Sequence, residues 1–167
     1  MKKIGLFYGT SSGKTKKIAE LIQQEFGKKN VDIHNIKDIK PEDILAYDNL
    51  IFGTSAWGVG DMQDDWEQLI DDIVELDLTN QKIALYGLGD QVEYPGSFVD
   101  GLGTLYCRMP NKENIVGFVA TKGYKYYFSS AEKDGKFIGL AIDEDKQPEL
   151  TEGRVKKWVA QLKKEFS

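Results

Sequence analysis

Hydroxyl and glycine residues are concentrated in one short loop near the start of the chain. Residues 9–15 read Gly-Thr-Ser-Ser-Gly-Lys-Thr, between an apolar run and an amphipathic stretch. The first turn of a helix has backbone N–H groups without intrahelical partners, and its dipole favours anions. Hydroxyls add donors, and glycine lets the backbone approach a ligand closely. One hydroxyl would suffice to cap a helix, so this loop predicts a phosphate-binding site.

A nucleoside-triphosphatase loop does not explain this segment. Gly9 and Gly13 enclose one residue fewer than the Walker A motif requires between its glycines. The run at 49–54 also ends Phe-Gly-Thr, without the aspartate that would hold Mg²⁺. We therefore expect a phosphate site that is not built for triphosphate hydrolysis.

Two further glycine-rich segments each carry one large aromatic residue. Residues 55–61 contain Trp57 and residues 87–94 contain Tyr94, each directly after an apolar run. Either ring alone is as readily explained by packing into a minor core or against a partner. Two such rings beside a phosphate site favour a flat ligand held between them.

Apolar periodicity places strands and helices in alternation along the chain. Strands are predicted at Lys3–Tyr8, 31–36, Asn49–Thr54, Lys82–Gly87, Ile115–Thr121 and Lys136–Asp143. Helices are predicted at Lys14–Gly27, 41–45, Asp64–Val74, Phe98–Met109 and Thr151–Phe166. This order is typical of a parallel sheet covered by helices on both faces, with ligands bound beyond the carboxyl ends of the strands.

Length, charge and composition exclude several classes of protein. With 167 residues and 41% hydrophobic residues the chain fits one globular domain. The net charge is −5, and residues 41–107 contain 14 acids and one base, which is the wrong sign for binding nucleic acid. A single cysteine and a single histidine argue against disulfides, a histidine-based triad and a histidine-ligated metal site. We expect a cytoplasmic protein that contacts neither membrane nor nucleic acid.

The start of the chain resembles the flavodoxin signature. The matching residues are Leu6, Phe7, Tyr8, Thr10, Gly13, Thr15, Ala19 and Ile22. The resemblance extends over essentially the whole chain, through a Gly-x-Gly-Asp turn ending at Asp90. It implies one doubly wound α/β domain, with a five-stranded parallel sheet in the order 2-1-3-4-5. The segment 122–135 looks like the insertion that interrupts the fifth strand in long-chain flavodoxins. Its aromatic residues either pack against the sheet edge, which we favour, or form a partner patch.

The resemblance also implies noncovalent binding of FMN at the three loops. The implied cofactor-binding residues are Thr10, Ser11, Ser12, Gly13, Lys14, Thr15, Ser55, Ala56, Trp57, Gly58, Val59, Gly60, Leu88, Gly89, Asp90, Tyr94 and Asp145. Gly58 corresponds to the residue whose carbonyl accepts a hydrogen bond from the flavin N5–H in the family. Lys14 is expected to contribute its backbone N–H rather than its ammonium. Ala56 and Leu88 stand where relatives often have hydroxyls, which gives Asp90 and Asp145 more weight near the ribityl chain.

The implied function is that of a low-potential one-electron carrier, not an enzyme. In the family the flavin cycles between a neutral semiquinone and an anionic hydroquinone, and acidic loops beside the ring disfavour the anion. Implied partners are ferredoxin–NADP⁺ reductases and pyruvate oxidoreductases with basic docking patches. The chain is expected to be a monomer. Two alternatives stay open: an NAD(P)H-dependent FMN quinone reductase on the same fold, and a phosphate-binding receiver module.

Overall fold

A parallel sheet forms the centre of the protein. The computed structural model describes residues 1–10, 12–55 and 64–167. The strands of the central sheet are β1 (Ile4–Tyr8), β2 (Val31–Asn35), β3 (Asn49–Ser55), β4 (Lys82–Leu88), β5 (Ile115–Val116) and β9 (Leu140–Ile142). The order is β2-β1-β3-β4, and β5 and β9 both pair with β4. Every pairing is parallel, so the predicted order 2-1-3-4-5 is confirmed.

Helices cover both faces of this sheet. They are α1 (Lys14–Phe26), α2 (Asp64–Val74), α3 (Asp100–Arg108) and α4 (Thr151–Glu165). All residues of β1 are buried, as expected for a parallel strand with helices on both sides. One core cluster packs α2 and α3 against the sheet, and a second packs α1 and α4 against the opposite face. The apolar spacing that predicted each helix therefore marks its buried side.

The strands predicted at Ile115–Thr121 and Lys136–Asp143 have the wrong boundaries. Only β5 and β9 join the central sheet, so the chain leaves the sheet after Val116 and returns at Leu140. Between them lie β6 (Val119–Ala120), β7 (Glu132–Lys133) and β8 (Lys136–Phe137), which form a separate antiparallel sheet in the order β6-β8-β7. Gly117, with φ of 85°, lies where the chain turns away. We call residues 117–139 the insertion from here on.

Two predicted helices also differ in type or extent. The segment Pro41–Ala46 is a 3-10 helix, as are Ile36–Asp38, Lys112–Asn114 and Pro148–Leu150. The helix predicted to begin at Phe98 begins at Asp100, because Val99 adopts a left-handed conformation with φ of 48°. Phe98 remains fully buried in the core, so its apolar character reflects packing rather than the helix period.

The aromatic residues of the insertion divide into two groups. Tyr124 and Tyr126 pack against Phe98 and Phe137 with ring centroids 5.0–5.7 Å apart. Tyr127 is 88% exposed and the next residue in the chain is 61% exposed. Packing against the edge of the domain therefore explains the first pair only.

Within the described ranges, no helix is both long and apolar enough to cross a membrane.

Candidate functional site

The loops that follow the parallel strands leave the sheet at one edge. The register pairs Tyr8 with Gly53 and Leu88 with both Ser55 and Ile142. Backbone hydrogen bonds extend this alignment past the strand ends: the Gly9 N–H donates to the Gly53 carbonyl at 3.0 Å. The predicted site residues on different strands are thus brought to the carboxyl edge, where sheets of this type bind ligands.

The start of α1 has the features of an anion site. Gly13 adopts φ of 85°, and a Cβ at this position would meet nothing within 4 Å. No side chain caps the helix at Gly13, although the Thr10 hydroxyl oxygen accepts a hydrogen bond from the Gly13 N–H at 2.8 Å. The Thr15 side chain is fully buried, and among the described residues its hydroxyl has no hydrogen-bond partner. A buried hydroxyl without a partner is costly, so this geometry fits a ligand oxygen at the helix N-terminus.

The loop after β4 is shaped by the carboxylate of Asp90. Its Oδ1 accepts hydrogen bonds from the N–H groups of Val92 and Glu93 at 3.0 and 2.9 Å. Burial raises the pKa of Asp90, but these N–H groups and the Lys146 ammonium, 3.3 Å from Oδ2, outweigh it and hold the pKa below the usual value. Tyr94 lies at the end of this turn with 49% of its surface exposed. Asp90 therefore fixes a loop that presents an aromatic ring at the surface.

A buried carboxylate that the sequence analysis did not select ties this loop to the end of β9. Asp143 is fully buried. Its Oδ2 accepts from the backbone N–H and the side-chain amide of Gln91 at 3.0 and 2.9 Å. Its Oδ1 accepts from the N–H groups of Asp145 and Lys146 at 3.1 and 2.8 Å. The Gln91 amide oxygen in turn accepts from the Lys125 N–H at 2.5 Å, so the insertion joins the same network.

Two ion pairs join the residues after β9 to α1. The Lys14 ammonium pairs with Asp145, and the Lys17 ammonium lies 2.8 Å from Glu144. The Lys14 side chain thus has an acidic partner in this structure. Asp90 also has a basic neighbour, because Lys146 approaches it from a distant part of the chain.

Comparison with known proteins identifies the family of this chain. The flavodoxin family model matches residues 6–158. The flavodoxin of Synechococcus elongatus is 46% identical over 99% of both chains, and that of a Synechocystis species is 48% identical over 98% of this chain and 97% of the relative. This chain belongs to the flavodoxin family. The crystal structure of Fusobacterium nucleatum flavodoxin bound to flavin mononucleotide is similar, with a TM-score of 0.92, 36% identity and full coverage of both chains.

The flavodoxin-like site residues divide into those that the structure describes and those that it does not. Thr10, Gly13, Lys14 and Thr15 gather at the start of α1, and exposed Ser12 lies beside them. Ser55 and Leu88 end adjacent strands, and Gly89 follows with its N–H donating to the Ile142 carbonyl at 3.0 Å. The predictions for Ser11, Ala56, Trp57, Gly58, Val59 and Gly60 lie outside the described residues. No cluster of metal-ligating side chains occurs in the part of the chain that the structure describes.

The hydrogen-bond network around Asp143 could hardly be predicted from the sequence. Nothing near Asp143 in sequence indicates a buried acceptor. Its partner Gln91 lies 52 residues away. Only the pairing of β4 with β9 brings them together.

The Glu144 carboxylate should make the free energy of unfolding depend on pH in the acid range. Burial raises its pKa, but hydrogen bonds from Lys17 and Thr151 outweigh that effect and hold the pKa below the usual 4.5. A lowered folded-state pKa stabilises the fold above the unfolded value and loses that contribution as pH falls. We expect Glu144→Gln to lower the free energy of unfolding by about 1 kcal/mol at pH 7, and the difference to shrink below pH 4.5.

Urea unfolding at several pH values measures this difference. The Glu144 side chain is only 6% exposed, whereas Glu149, in the 3-10 turn just before α4, is exposed and serves as the control. A Glu149→Gln variant should change the free energy of unfolding by less than about 0.5 kcal/mol. A Glu144 effect that is the same at pH 7 and at pH 3 would contradict the assignment.

Proposed function

We propose that this chain binds FMN noncovalently and passes single electrons between redox proteins, with no substrate of its own. The observation that carries this proposal is the start of α1, where a left-handed Gly13 and a Thr15 hydroxyl without a partner among the described residues surround a helix N-terminus. The similar flavodoxin of Fusobacterium nucleatum is bound to flavin mononucleotide in its crystal structure. The residues present here fit the phosphate of that ligand.

The phosphate would be held without a dedicated cation. The N–H groups at the start of α1 point toward an anion, and the hydroxyls of Thr10, Ser12 and Thr15 supply further donors. Thr10 uses an oxygen lone pair for the Gly13 N–H, which leaves its own proton available for the ligand. The Lys14 ammonium already pairs with Asp145. It therefore links α1 to the residues after β9 rather than binding the phosphate.

The flat ring would lie against Tyr94 on the loop fixed by Asp90 and Asp143. FMN supplies the one-electron chemistry when bound. The protein's part is to exclude water from one ring face and to keep carboxylates beside it, which opposes added negative charge. Asp90 and Glu93 do so, although Lys146 lies 3.3 and 3.9 Å from them and weakens the effect. We assign the second ring face to Trp57 and the N5–H acceptor to the Gly58 carbonyl on the family resemblance alone.

Thr15 offers a test in which stability and binding change in opposite directions. In Thr15→Val the buried hydroxyl, which has no partner among residues 1–10, 12–55 and 64–167, becomes a methyl of similar size. We expect the FMN-free protein to keep or gain stability, by up to about 1 kcal/mol, because no hydrogen bond among those residues is lost. FMN affinity should fall about 10-fold or more, because a hydrogen bond to a charged phosphate is lost.

Urea unfolding of the FMN-free protein and fluorescence titration with FMN measure the two effects. Thr79→Val is the control, because Thr79 lies in the turn before β4, at the opposite end of that strand from the proposed site, where its hydroxyl donates to Asp77 at 2.7 Å. That variant should lose a little stability and leave FMN affinity unchanged. Loss of stability with unchanged FMN affinity in Thr15→Val would remove Thr15 from the phosphate site.

Stepwise anaerobic reduction of the FMN-loaded protein tests the carrier function directly. A transient blue colour before bleaching would show that electrons enter one at a time. Direct passage from yellow to colourless, together with rapid reduction by NADPH alone, would instead indicate a quinone reductase. A protein that retains no flavin would overturn the proposal as a whole.

The acidic segment suggests the kind of partner that this carrier meets. We infer that it docks transiently on basic patches of redox enzymes, of the ferredoxin–NADP⁺ reductase and pyruvate oxidoreductase types. Residues 41–107 supply 14 acids against one base, and long-range attraction of this kind is screened by salt. Electron transfer to such a reductase should therefore slow by about 10-fold or more between low and high ionic strength, in stopped-flow measurements. A rate independent of salt would refute electrostatic docking.

A further inference from the structure

A cavity between the insertion and α4 lies apart from the strand ends that form the proposed FMN site. It encloses about 400 Å³ and is bordered by β6, β8 and the outer side of α4. Clefts of this volume are of the size that small organic ligands occupy. Its existence follows from the early departure of the chain after β5, which carries β6 and β8 away from the central sheet.

The charge of this cavity is opposite to that of the whole chain. Its charged lining residues are Lys122, Lys136, Arg154 and Lys157, and no acid lines it within the described part of the chain. None of the three lysines forms an ion pair with a described carboxylate. Four bases without an acid in one cleft is unexpected for a chain of net charge −5. The cleft therefore concentrates positive potential in which an anion is favoured.

Arg154 provides a hydrogen-bond donor that is already oriented. Its guanidinium lies 3.9 Å from the centre of the Tyr124 ring, and its Nη2 donates to the Gly123 carbonyl at 3.3 Å. The Tyr124 hydroxyl donates to the Ala141 carbonyl at 2.6 Å, which holds the ring in place. The Nη1 of Arg154 is buried without a hydrogen-bond partner among the described residues. A planar donor held this way suits a carboxylate or phosphate oxygen.

Apart from the Gln161 amide and the Tyr124 hydroxyl, the rest of the cavity wall is apolar. Phe118, Val119, Leu140 and Trp158 contribute to it. Trp158 is fixed by a hydrogen bond from its indole N–H to the Gly117 carbonyl at 2.8 Å. The two acids of α4, Glu152 and Glu165, do not line the cavity, and Glu165 accepts hydrogen bonds from the Gly117 N–H at 2.7 Å and from the Gln161 side-chain amide. The cavity thus combines cations at its rim with an apolar interior.

We propose that this cavity is a binding site for a small organic anion with a carboxylate or phosphate attached to a flat apolar body. The apolar wall would take the body, and Arg154 with the flanking lysines would take the charged group. The concave shape and the limited volume fit a small molecule, whereas an extended nucleic acid would meet the acidic remainder of the surface. This inference does not depend on the proposed electron-carrier function.

Titration of the protein with 1-naphthyl phosphate tests the proposal. The titration is made on the FMN-free protein and again after addition of FMN, which would block the proposed phosphate site at α1. Backbone amide chemical shifts then report both affinity and location. We expect saturable one-to-one binding with shifts confined to the insertion and α4, and at least about 5-fold weaker binding of neutral 1-naphthol. Equal binding of naphthol, shifts confined to the start of α1, or no saturable binding would overturn the proposal.

Matched variants separate this cavity from general charge attraction. The double variant Lys122→Gln, Lys157→Gln should weaken naphthyl phosphate binding about 5-fold, and Arg154→Lys, which keeps the charge but loses the planar donor, by about 10-fold. Lys156→Gln is the control, because Lys156 is exposed on the same helix and does not line the cavity. An equal loss in the Lys156→Gln variant would overturn the proposal. Urea unfolding confirms that each variant is folded before titration.

Discussion

Replacing Asp143 with alanine is expected to destabilise the protein by about 3–5 kcal/mol, because the donors that it accepts from are left without an acceptor. The carboxylate is fully buried and accepts four hydrogen bonds, from Gln91 and from the N–H groups of Asp145 and Lys146. Without it, all four donors lose their acceptor together, and the two buried donors of Gln91 are left unsatisfied, which is costly. Urea unfolding of the FMN-free protein measures the loss.

The same change should weaken FMN binding, because Asp143 holds the loop that carries Asp90 and Tyr94. The backbone N–H of Gln91, one residue after Asp90, donates to Asp143 at 3.0 Å. Releasing it frees the loop, and ordering the loop again on binding costs affinity. We expect the dissociation constant to rise by at least about 10-fold in fluorescence titrations, in line with about 1.4 kcal/mol.

Two further variants make this prediction specific. Asp143→Asn keeps one acceptor oxygen but turns an amide NH₂ toward the donors, so it should cost about 2–3 kcal/mol, less than alanine. Asp72→Asn is the matched control on the exposed face of α2, and it should change stability by less than about 0.5 kcal/mol. If Asp143→Ala were as stable as the parent, the buried network would not be what holds the loop.

Local sequence patterns sufficed for the elements whose burial repeats regularly. The apolar spacing of α1, β1 and β3 follows from one buried face or a fully buried strand, and each lies where it was predicted. The proposed phosphate loop could be selected for the same reason, since its hydroxyls and glycines are contiguous. These features depend on neighbours in sequence.

The features that escaped prediction depend on contacts between distant segments. The departure of the chain after β5 is invisible in the apolar run 115–121, because Val119 alternates in the same way whether it pairs with β4 or with β8. Asp143 and Lys146 acquire their roles only once β9 lies beside β4. The base beside Asp90 could not be predicted for the same reason, since it comes from 56 positions further along the chain.

Gly53 lies where the central sheet meets the start of α1. A Cβ at this position would overlap the ring of Tyr86 on the adjacent strand. Tyr86 is fully buried, and its hydroxyl donates to the Thr15 carbonyl at 2.9 Å. Burial also raises its pKa well above the usual range, so the hydroxyl keeps its proton. On the other side, the Trp66 indole donates to the Gly53 carbonyl at 2.8 Å, so neither neighbour can move freely.

The variant Gly53→Ala is therefore expected to destabilise the protein by about 3 kcal/mol, an overpacking cost at the upper end of the usual range. The decisive measurement is a double-mutant cycle with Tyr86→Leu, which removes the overlapping ring. In that background Gly53→Ala should cost less than about 1 kcal/mol, which gives a coupling of about 2 kcal/mol in urea unfolding.

Gly153→Ala on the open surface of α4 is the matched control, since a Cβ there meets nothing within 4 Å. It should stabilise the protein by about 0.5–1 kcal/mol, because alanine favours helix more than glycine does. An equal cost of Gly53→Ala in both backgrounds would show that the Tyr86 ring is not the obstacle, and that strain in β3 itself requires glycine.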